Sequence, residues 1–150
     1  MVTSWDGVKL ISLFEGFRCR KYLDVADKPT IGYGHLIKEG ENLPDPISNV
    51  EALSLLQEDL RTAESGVLEH IHVPLQQYEF DALVSFTYNL GAGNLAESTL
   101  AKKLNARDYD GAAAEFPKWD RAGGKEVEGI KRRRLKEQEV FLGKGYQYAA

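Results

Sequence analysis

The segment from Ser48 to His70 constrains the fold of this chain more than any other. Ser48-Asn-Val-Glu51 is a capping box, in which the two outer side chains each satisfy a free backbone N–H at the start of a helix. Apolar residues follow at helical spacing, namely Val50, Leu53, Leu56, Leu60, Ala63 and Val67. The pattern predicts one amphipathic helix that is long enough to join two lobes of a 150-residue chain.

The rest of the chain is mostly helical, with one short β segment. Thr3 or Ser4 is suited to cap a first helix that runs to about Arg20. Apolar spacing predicts further helices over about residues 76–90, 99–104, 109–116 and 129–142. Between residues 21 and 37, Gly, Pro and Asp interrupt short runs of β-branched and aromatic residues, which predicts a small antiparallel sheet and the only β structure.

These elements predict an α+β, predominantly α-helical chain with two lobes. The small lobe, about residues 12–60, carries the sheet. The helical lobe comprises about residues 61–150 and the N-terminal helix. Together they form a single domain over residues 1–150, which is an ordinary domain size.

Composition excludes several classes of protein. With 43% hydrophobic and 28% charged residues, the chain is typical of folded proteins outside membranes. It has no apolar run of about 18 residues and no signal peptide is predicted, so stable membrane insertion is not expected. One cysteine, Cys19, excludes an internal disulfide, and the three histidines lack zinc-binding spacing. We therefore expect neither a metal nor an organic cofactor.

Charge is unevenly distributed along a chain whose net charge is −4. Residues 38–81 hold ten acidic and two basic residues, whereas residues 118–136 hold eight basic and three acidic. The run Lys131-Arg-Arg-Arg134 is compatible with nucleic-acid binding, but no aromatic residues interleave it. We expect instead a stabilising helix with contacts to an anionic cell-envelope polymer, and no nucleic-acid partner.

Glu15 and Asp24 are the candidate catalytic pair. Glu15 ends an apolar helix beside Phe14 and Phe17, where burial would favour the protonated form that a general acid needs. Asp24 lies in a turn-rich stretch and should stay ionised, and Thr30 offers a hydroxyl to orient a water. One acid and one carboxylate suit the cleavage of a glycosidic bond, although such a pair taken alone is usually surface charge.

The full pattern resembles the bacteriophage T4-type lysozymes, the endolysins of glycoside hydrolase family 24. Eight residues separate Glu15 from Asp24, five separate Asp24 from Thr30, and Ile-Gly-Tyr-Gly-His then ends at His35. The segments at residues 80–94, 98–125 and 129–141 are similar, in order, to the helical lobe of that family. The resemblance covers about residues 5–142 and implies a lysozyme-like two-lobed fold.

The resemblance also implies roles for individual residues. Glu15 matches the general acid, Asp24 the carboxylate that positions the attacking water, and Thr30 the hydroxyl that helps to hold it. His35 is expected to pair with an acid of its own lobe as structural support. The residues that match or face the family's substrate groove are Leu36, Tyr88, Asn89, Thr99 and Glu115.

The implied function is hydrolysis of the β-1,4 bond between N-acetylmuramic acid and N-acetylglucosamine in bacterial peptidoglycan, for lysis of the host by a phage. The resemblance implies a monomer that is made in the host cytoplasm and reaches the periplasm and wall through a holin lesion. Two alternatives stay open: a lytic transglycosylase giving 1,6-anhydro products, and a catalytically silent wall-binding module. Asp24 and Thr30 favour the hydrolase, because a transglycosylase has no need to hold water.

Overall fold

The protein, described here by a computed structural model over residues 1–122 and 124–145, divides into two compact units. One unit is Val8–Arg61, and the other combines Met1–Gly7 with the chain from Thr62 onward. Both boundaries fall inside helices, the first in α1, Trp5–Glu15, and the second in α2, Asn49–His70. Each of these two helices therefore contributes residues to both units.

Helix α1 begins at a side-chain cap and ends at a glycine. Ser4 Oγ accepts a hydrogen bond from the backbone N–H of Gly7 at 3.1 Å, which confirms the predicted N-terminal cap. Gly16 has a φ of 76°, and its N–H donates to Ser12 O at 3.1 Å. The prediction of a helix to about Arg20 was wrong, because this left-handed glycine ends the helix at Glu15.

Three short strands form the antiparallel sheet of the unit Val8–Arg61, in the order β1-β2-β3: Arg18–Leu23, Pro29–Gly32 and His35–Leu36. Tyr22 lies opposite Thr30, and Thr30 lies opposite Leu36. These residues therefore share one face of the sheet, and Ile31 and His35 share the other. The register of β1 on β2 shifts between Arg18 and Tyr22, and the predicted small sheet is confirmed.

Strand β2 approaches the first half of α2 at Gly32. A Cβ added to Gly32 would lie 3.1 Å from Ala52 Cβ, so the strand approaches the helix closely. Gly32 also has a φ of 71°, which glycine adopts without strain. The core of this unit consists of Val8, Leu10, Ile11, Ile31, Tyr33, Ile47, Ala52, Leu56 and Leu60.

Helix α2 has the predicted ends. The capping box is present, since Ser48 N–H donates to Glu51 Oε1 and Glu51 N–H donates to Ser48 Oγ, both at 3.1 Å. Val50 is 73% exposed, however, and the buried stripe begins at Ala52 instead. The apolar spacing therefore predicted the helix correctly but misplaced the first residue of its buried face.

The second unit is helical. Helix α3, Gln77–Leu90, stops before Gly91 as predicted. Helix α4, Ala92–Glu97, and the two-stranded sheet of β4, Arg121–Ala122, and β5, Lys125–Glu126, were not predicted. The expectation of β structure only at residues 21–37 was wrong, because strands of two residues are too short for alternation to reveal. The remaining elements of this unit are α5 Thr99–Asn105, α6 Tyr109–Ala113, a 3-10 helix Phe116–Lys118 and α7 Glu128–Phe141.

Aromatic rings join α3, the 3-10 helix and α7 in the core of this unit. The ring of Phe86 lies 5.6 Å from both Phe116 and Trp119, and Phe116 lies 5.4 Å from Phe141. The edge-to-face arrangement of the Phe86 contacts is a favoured geometry for aromatic pairs. Within the described ranges, no helix has the length and apolar composition needed to cross a bilayer.

A buried charge network crosses from α7 to α3. Glu137 is fully buried, and its carboxylate pairs with Arg134 Nη1 at 3.0 Å and Arg133 Nε at 3.2 Å. Ser85 Oγ donates to the same carboxylate at 2.5 Å. Burial raises the pKa of Glu137, against the opposite effect of the two arginines. Arg133 and Arg134 are therefore interior and cannot face an external polymer, whereas the expected stabilising role of this helix is supported.

Glu137→Ala should lower the free energy of unfolding by roughly 3–5 kcal/mol, because it removes the buried carboxylate that pairs with both Arg133 and Arg134. Urea unfolding followed by tryptophan fluorescence measures this loss. The matched control is Glu139→Ala on the same helix, since the Glu139 carboxylate is exposed and its contact with Lys136 Nζ, at 3.4 Å, is a surface ion pair. Its expected cost is at most about 1 kcal/mol, and equal losses for the two variants would contradict a buried network.

Candidate active site

Glu15 lies at the carboxyl end of α1, against the turn that joins β2 to β3. Its side chain is half-buried. A Cβ added to Gly34, the second residue of that turn, would lie 3.8 Å from Glu15 Oε1. Gly34 has a φ of 79°, so the turn uses a conformation that glycine adopts readily. The Glu15 carboxyl group thus borders a position of the turn, Gly34, that carries no side chain.

Asp24 directly follows β1 and organises the loop that leads to β2. Its Oδ1 accepts hydrogen bonds from the backbone N–H groups of Ala26, at 2.8 Å, and Lys28, at 2.9 Å. The backbone N–H of Asp24 donates to Lys28 O at 2.9 Å. These bonds hold the carboxylate in one orientation. Oδ2 takes no hydrogen bond from any residue that the structure describes.

Thr30 lies in the central strand and is only 2% exposed. Its hydroxyl donates to Lys28 O at 2.9 Å, the same carbonyl that accepts the N–H of Asp24. One residue, Lys28, therefore connects the backbone and side chain of Asp24 to the side chain of Thr30. Because the hydroxyl proton of Thr30 is already donated, its oxygen is left to act as an acceptor.

Two side chains flank Thr30 on the same face of the sheet. Tyr22, opposite it on β1, is half-buried, and Leu36, opposite it on β3, is 48% exposed. The guanidinium carbon of Arg18 lies 4.1 Å from the centre of the Tyr22 ring. An aromatic ring and an exposed aliphatic side chain thus border the buried threonine.

His35 lies on the opposite face of the sheet, buried between two carboxylates. Its Nδ1 is 2.8 Å from Asp59 Oδ2 on α2, and its Nε2 is 3.0 Å from Glu41 Oε1. The predicted pairing of His35 with an acid is confirmed, with two acids in place of one. These three residues form an ion-pair network. Among the residues described, no group of His, Cys, Asp or Glu is arranged to hold a metal ion.

The pKa values of this network follow from burial and from its hydrogen bonds. Burial alone would lower the pKa of His35, but the hydrogen bonds and charges of Glu41 and Asp59 outweigh it, and the net shift is upward. The backbone N–H of Lys38, followed by His35, lowers the pKa of Glu41. Burial raises the pKa of Asp59 in spite of His35. The geometry favours a charged imidazolium with both N–H groups donated.

The other four predicted site residues belong to the unit that starts at Thr62. Tyr88 is half-buried on α3, and Thr99, the first residue of α5, is exposed. Asn89 is exposed, and its side-chain oxygen accepts a hydrogen bond from Arg134. Glu115 is buried. The structure thus places Asp24, Thr30 and Leu36 in or directly beside one sheet, whereas Tyr88 and Asn89 lie on α3, Thr99 begins α5 and Glu115 directly precedes the 3-10 helix of the other unit.

The Glu115 carboxylate is occupied by two lysines. Its Oε2 lies 2.5 Å from Lys118 Nζ and 3.0 Å from Lys103 Nζ. The hydrogen bond from Lys118, and after it that from Lys103, lowers the pKa of Glu115. Glu115 therefore has ion-pair partners within its own unit.

Three contributors to the site region were not predicted from the sequence. Asp59 had a signal, since it lies three residues after buried Leu56 and therefore on the inner face of α2. Glu41 lies in a loop, where no periodicity indicates which way a side chain faces. Lys28 acts through its peptide group, and its residue type carries no signal for that role.

The chain was compared with known proteins. The family model described as phage lysozyme matches residues 12–137. The endolysin of Bacillus phage B103 is 42% identical over 144 residues, which cover 95% of this chain and 54% of that protein. The chain therefore spans about half the length of that relative.

Solved structures show the same similarity. The endolysin of Escherichia coli O157:H7 phage FAHEc1 is 36% identical with a TM-score of 0.86, over 99% of this chain and 98% of the other. The muramidase domain of SpmX from Asticaccaulis excentricus is 31% identical with a TM-score of 0.82, over 93% and 96% of the two chains. This chain belongs to the phage lysozyme family, and its lysozyme-like fold class is confirmed.

The stability of the unit Val8–Arg61 should fall as the pH rises from about 6 to 9. A histidine whose pKa is raised on folding contributes its full stabilisation of the folded state below its unfolded pKa of about 6.5. That contribution is lost as the pH rises through the folded pKa. Urea unfolding of the parent and of His35→Asn at several pH values measures this effect. The stability difference between them should shrink with rising pH.

The matched control is His72→Asn, since His72 is exposed and only its backbone N–H has a hydrogen bond. Its stability should follow the parent at every pH. A difference between His35→Asn and the parent that stays constant across this range would contradict a charged His35.

Proposed function

We propose that this protein hydrolyses the β-1,4 bond between N-acetylmuramic acid and N-acetylglucosamine in bacterial peptidoglycan. Glu15 is the general acid in this proposal, and Asp24 and Thr30 position the water that attacks the sugar. No metal or organic cofactor takes part. The observation that carries the proposal is the set of hydrogen bonds that joins Asp24 and Thr30 through Lys28.

A water at this pair would donate both of its protons. One proton goes to the open Oδ2 of Asp24, and the other goes to Thr30 Oγ, whose own proton is donated to Lys28 O. A water held in this way has only its lone pairs left to direct at the anomeric carbon. As the carbon–oxygen bond forms, Asp24 takes the proton, which is general-base catalysis.

Glu15 supplies the complementary proton. Protonation of the glycosidic oxygen lets the leaving sugar depart as an alcohol, a step that a neutral carboxyl group performs. The position of Glu15 beside Gly34 supports this role, because that residue of the turn carries no side chain. A saccharide can therefore approach Glu15 closely without meeting a side chain at that point.

The relatives support the substrate. One of the similar solved structures is a muramidase domain, and the two other relatives named above are endolysins. Exposed Leu36, beside Thr30, suits the apolar face of a sugar ring. We also assign Tyr88, Asn89, Thr99 and Glu115 to substrate binding, on the strength of the family resemblance. Glu115 would act there together with Lys103, its ion-pair partner.

The biological role that we infer is lysis of a host bacterium at the end of a phage cycle. The enzyme would be made in the host cytoplasm as a monomer and would reach the periplasm and wall through a holin lesion. This part of the proposal follows from the family and from the endolysin relatives.

Peptidoglycan digestion with mass analysis of the fragments tests the proposed reaction. We expect fragments with a reducing N-acetylmuramic acid end, because water attacks the sugar. A 1,6-anhydro end would instead assign a lytic transglycosylase, and binding without new ends would assign a silent wall-binding module. In the same assay Glu15→Gln should lower the rate by roughly 10²- to 10⁴-fold, since the amide is far too weak an acid to protonate the leaving oxygen.

The control for this substitution is Glu39→Gln, which removes an exposed carboxylate from the same unit and should keep the parent rate. A circular dichroism spectrum and melting temperature like the parent's establish that the Glu15 variant is folded. Near-parent activity of folded Glu15→Gln would refute the general-acid assignment.

Asp24→Asn should lower the rate by about 10²- to 10³-fold while the loop stays formed. The amide oxygen still accepts the N–H groups of Ala26 and Lys28, so this variant removes the charge and keeps the local structure. Asp27→Asn is the matched control, because Asp27 is exposed in the same loop and asparagine tolerates its φ of 59°. If Asp24→Asn releases reducing ends as fast as Asp27→Asn, Asp24 does not activate the water.

A further inference from the structure

Arg18 is an exposed cation on β1 whose guanidinium rests on an aromatic ring. Its Cζ lies 4.1 Å from the centre of the Tyr22 ring. Among the residues that the structure describes, none supplies a carboxylate or other hydrogen-bond acceptor to this guanidinium. Arg18 is thus a fixed cation without a counter-charge among the described residues, in a chain whose net charge is −4.

The position of this pair connects it to the candidate active site. Tyr22 lies directly opposite Thr30 in the sheet, and Asp24 follows Tyr22 by two residues on the same stretch of chain. Arg18 therefore lies one side chain away from Thr30. The register of this edge strand shifts between Arg18 and Tyr22, and bulges of this kind redirect side chains at sheet edges.

The stacking prepares the guanidinium for one kind of ligand. A ring against one face restricts the rotation of the planar group and leaves its N–H edges in water. Those edges match the two oxygens of a carboxylate in a bidentate pair. A neutral sugar has no group of that shape and charge, so the geometry selects for an acidic substituent.

We propose that Arg18, held on Tyr22, binds a carboxylate of the stem peptide that peptidoglycan carries on alternate sugars. The inference rests on the proposed function, since peptidoglycan must be the substrate. Arg18 is then a specificity-determining residue. It strengthens the binding of peptide-bearing glycan near Asp24 and takes no part in bond cleavage.

The experiment compares two glycans prepared from one batch of wall that hydrofluoric acid has stripped of phosphate polymers. One keeps its stem peptides, and the other has been treated with an amidase that removes them. Initial rates of reducing-end release give kcat and KM for the parent, Arg18→Gln, Arg18→Lys and the control Arg20→Gln. Arg20 is an exposed cation of the same strand, so its loss measures the effect of general charge.

On the peptide-bearing glycan, Arg18→Gln should raise KM about 5- to 10-fold and leave kcat unchanged, as expected for the loss of one charge-assisted bidentate contact. On the peptide-free glycan its KM should stay within about twofold of the parent's. Arg18→Lys should recover part of the affinity, because it keeps the charge and loses the planar fork. Arg20→Gln should behave like the parent on both.

Other outcomes would overturn the proposal. Equal losses on the two glycans would assign Arg18 a structural role. A loss larger on the peptide-free glycan would move the contact to the lactyl carboxylate that the amidase exposes. The same wall before the acid treatment is assayed alongside, and a loss seen only on that sample would make phosphate the ligand. If the parent releases reducing ends from neither glycan, the proposed function itself is refuted. This outcome distinguishes failure of the proposed function from failure of the Arg18 proposal.

Discussion

The peptide group of Lys28 is the constraint on which the candidate site depends. Its carbonyl accepts both the backbone N–H of Asp24 and the hydroxyl of Thr30, and its N–H donates to the Asp24 carboxylate. The two side chains therefore keep one relative position as long as the loop between β1 and β2 is closed. Groups that are oriented before the substrate arrives need no reorganisation during the reaction, and this preorganisation is a main source of rate enhancement in active sites.

Buried charge supports each unit in a similar way. The sheet places Thr30 on one face and His35 on the other, because side chains alternate along a strand. The pairing of His35 with Asp59 ties the second face to α2, so the network fixes the sheet beneath the site. In the other unit, Glu137 lies between two arginines. In both units the burial of a charge is tolerated because opposite charges lie within hydrogen-bonding distance of it.

Local signals predicted a large part of the fold. The capping box of Ser48 and the stop at Gly91 marked helix ends correctly, since both act through neighbouring residues. The end of α1 was misjudged, because a glycine inside an apolar pattern is compatible with helix until its φ is known. The burial of Arg133 and Arg134 was missed for a different reason. Ser85, which bonds the buried carboxylate, comes from a helix 52 positions away in sequence from Glu137.

The sequence by itself determined the chemistry available to this protein and its order along the chain: an acid at a helix end, a carboxylate after a strand, and a hydroxyl in the next strand. These follow from residue type and spacing, which local chain geometry translates into structure. Only the tertiary structure decided that Lys28 joins Asp24 to Thr30 and that Arg18 stacks on Tyr22. Those contacts depend on the register and bulge of β1 against β2, and register is a property of two strands that neither carries alone.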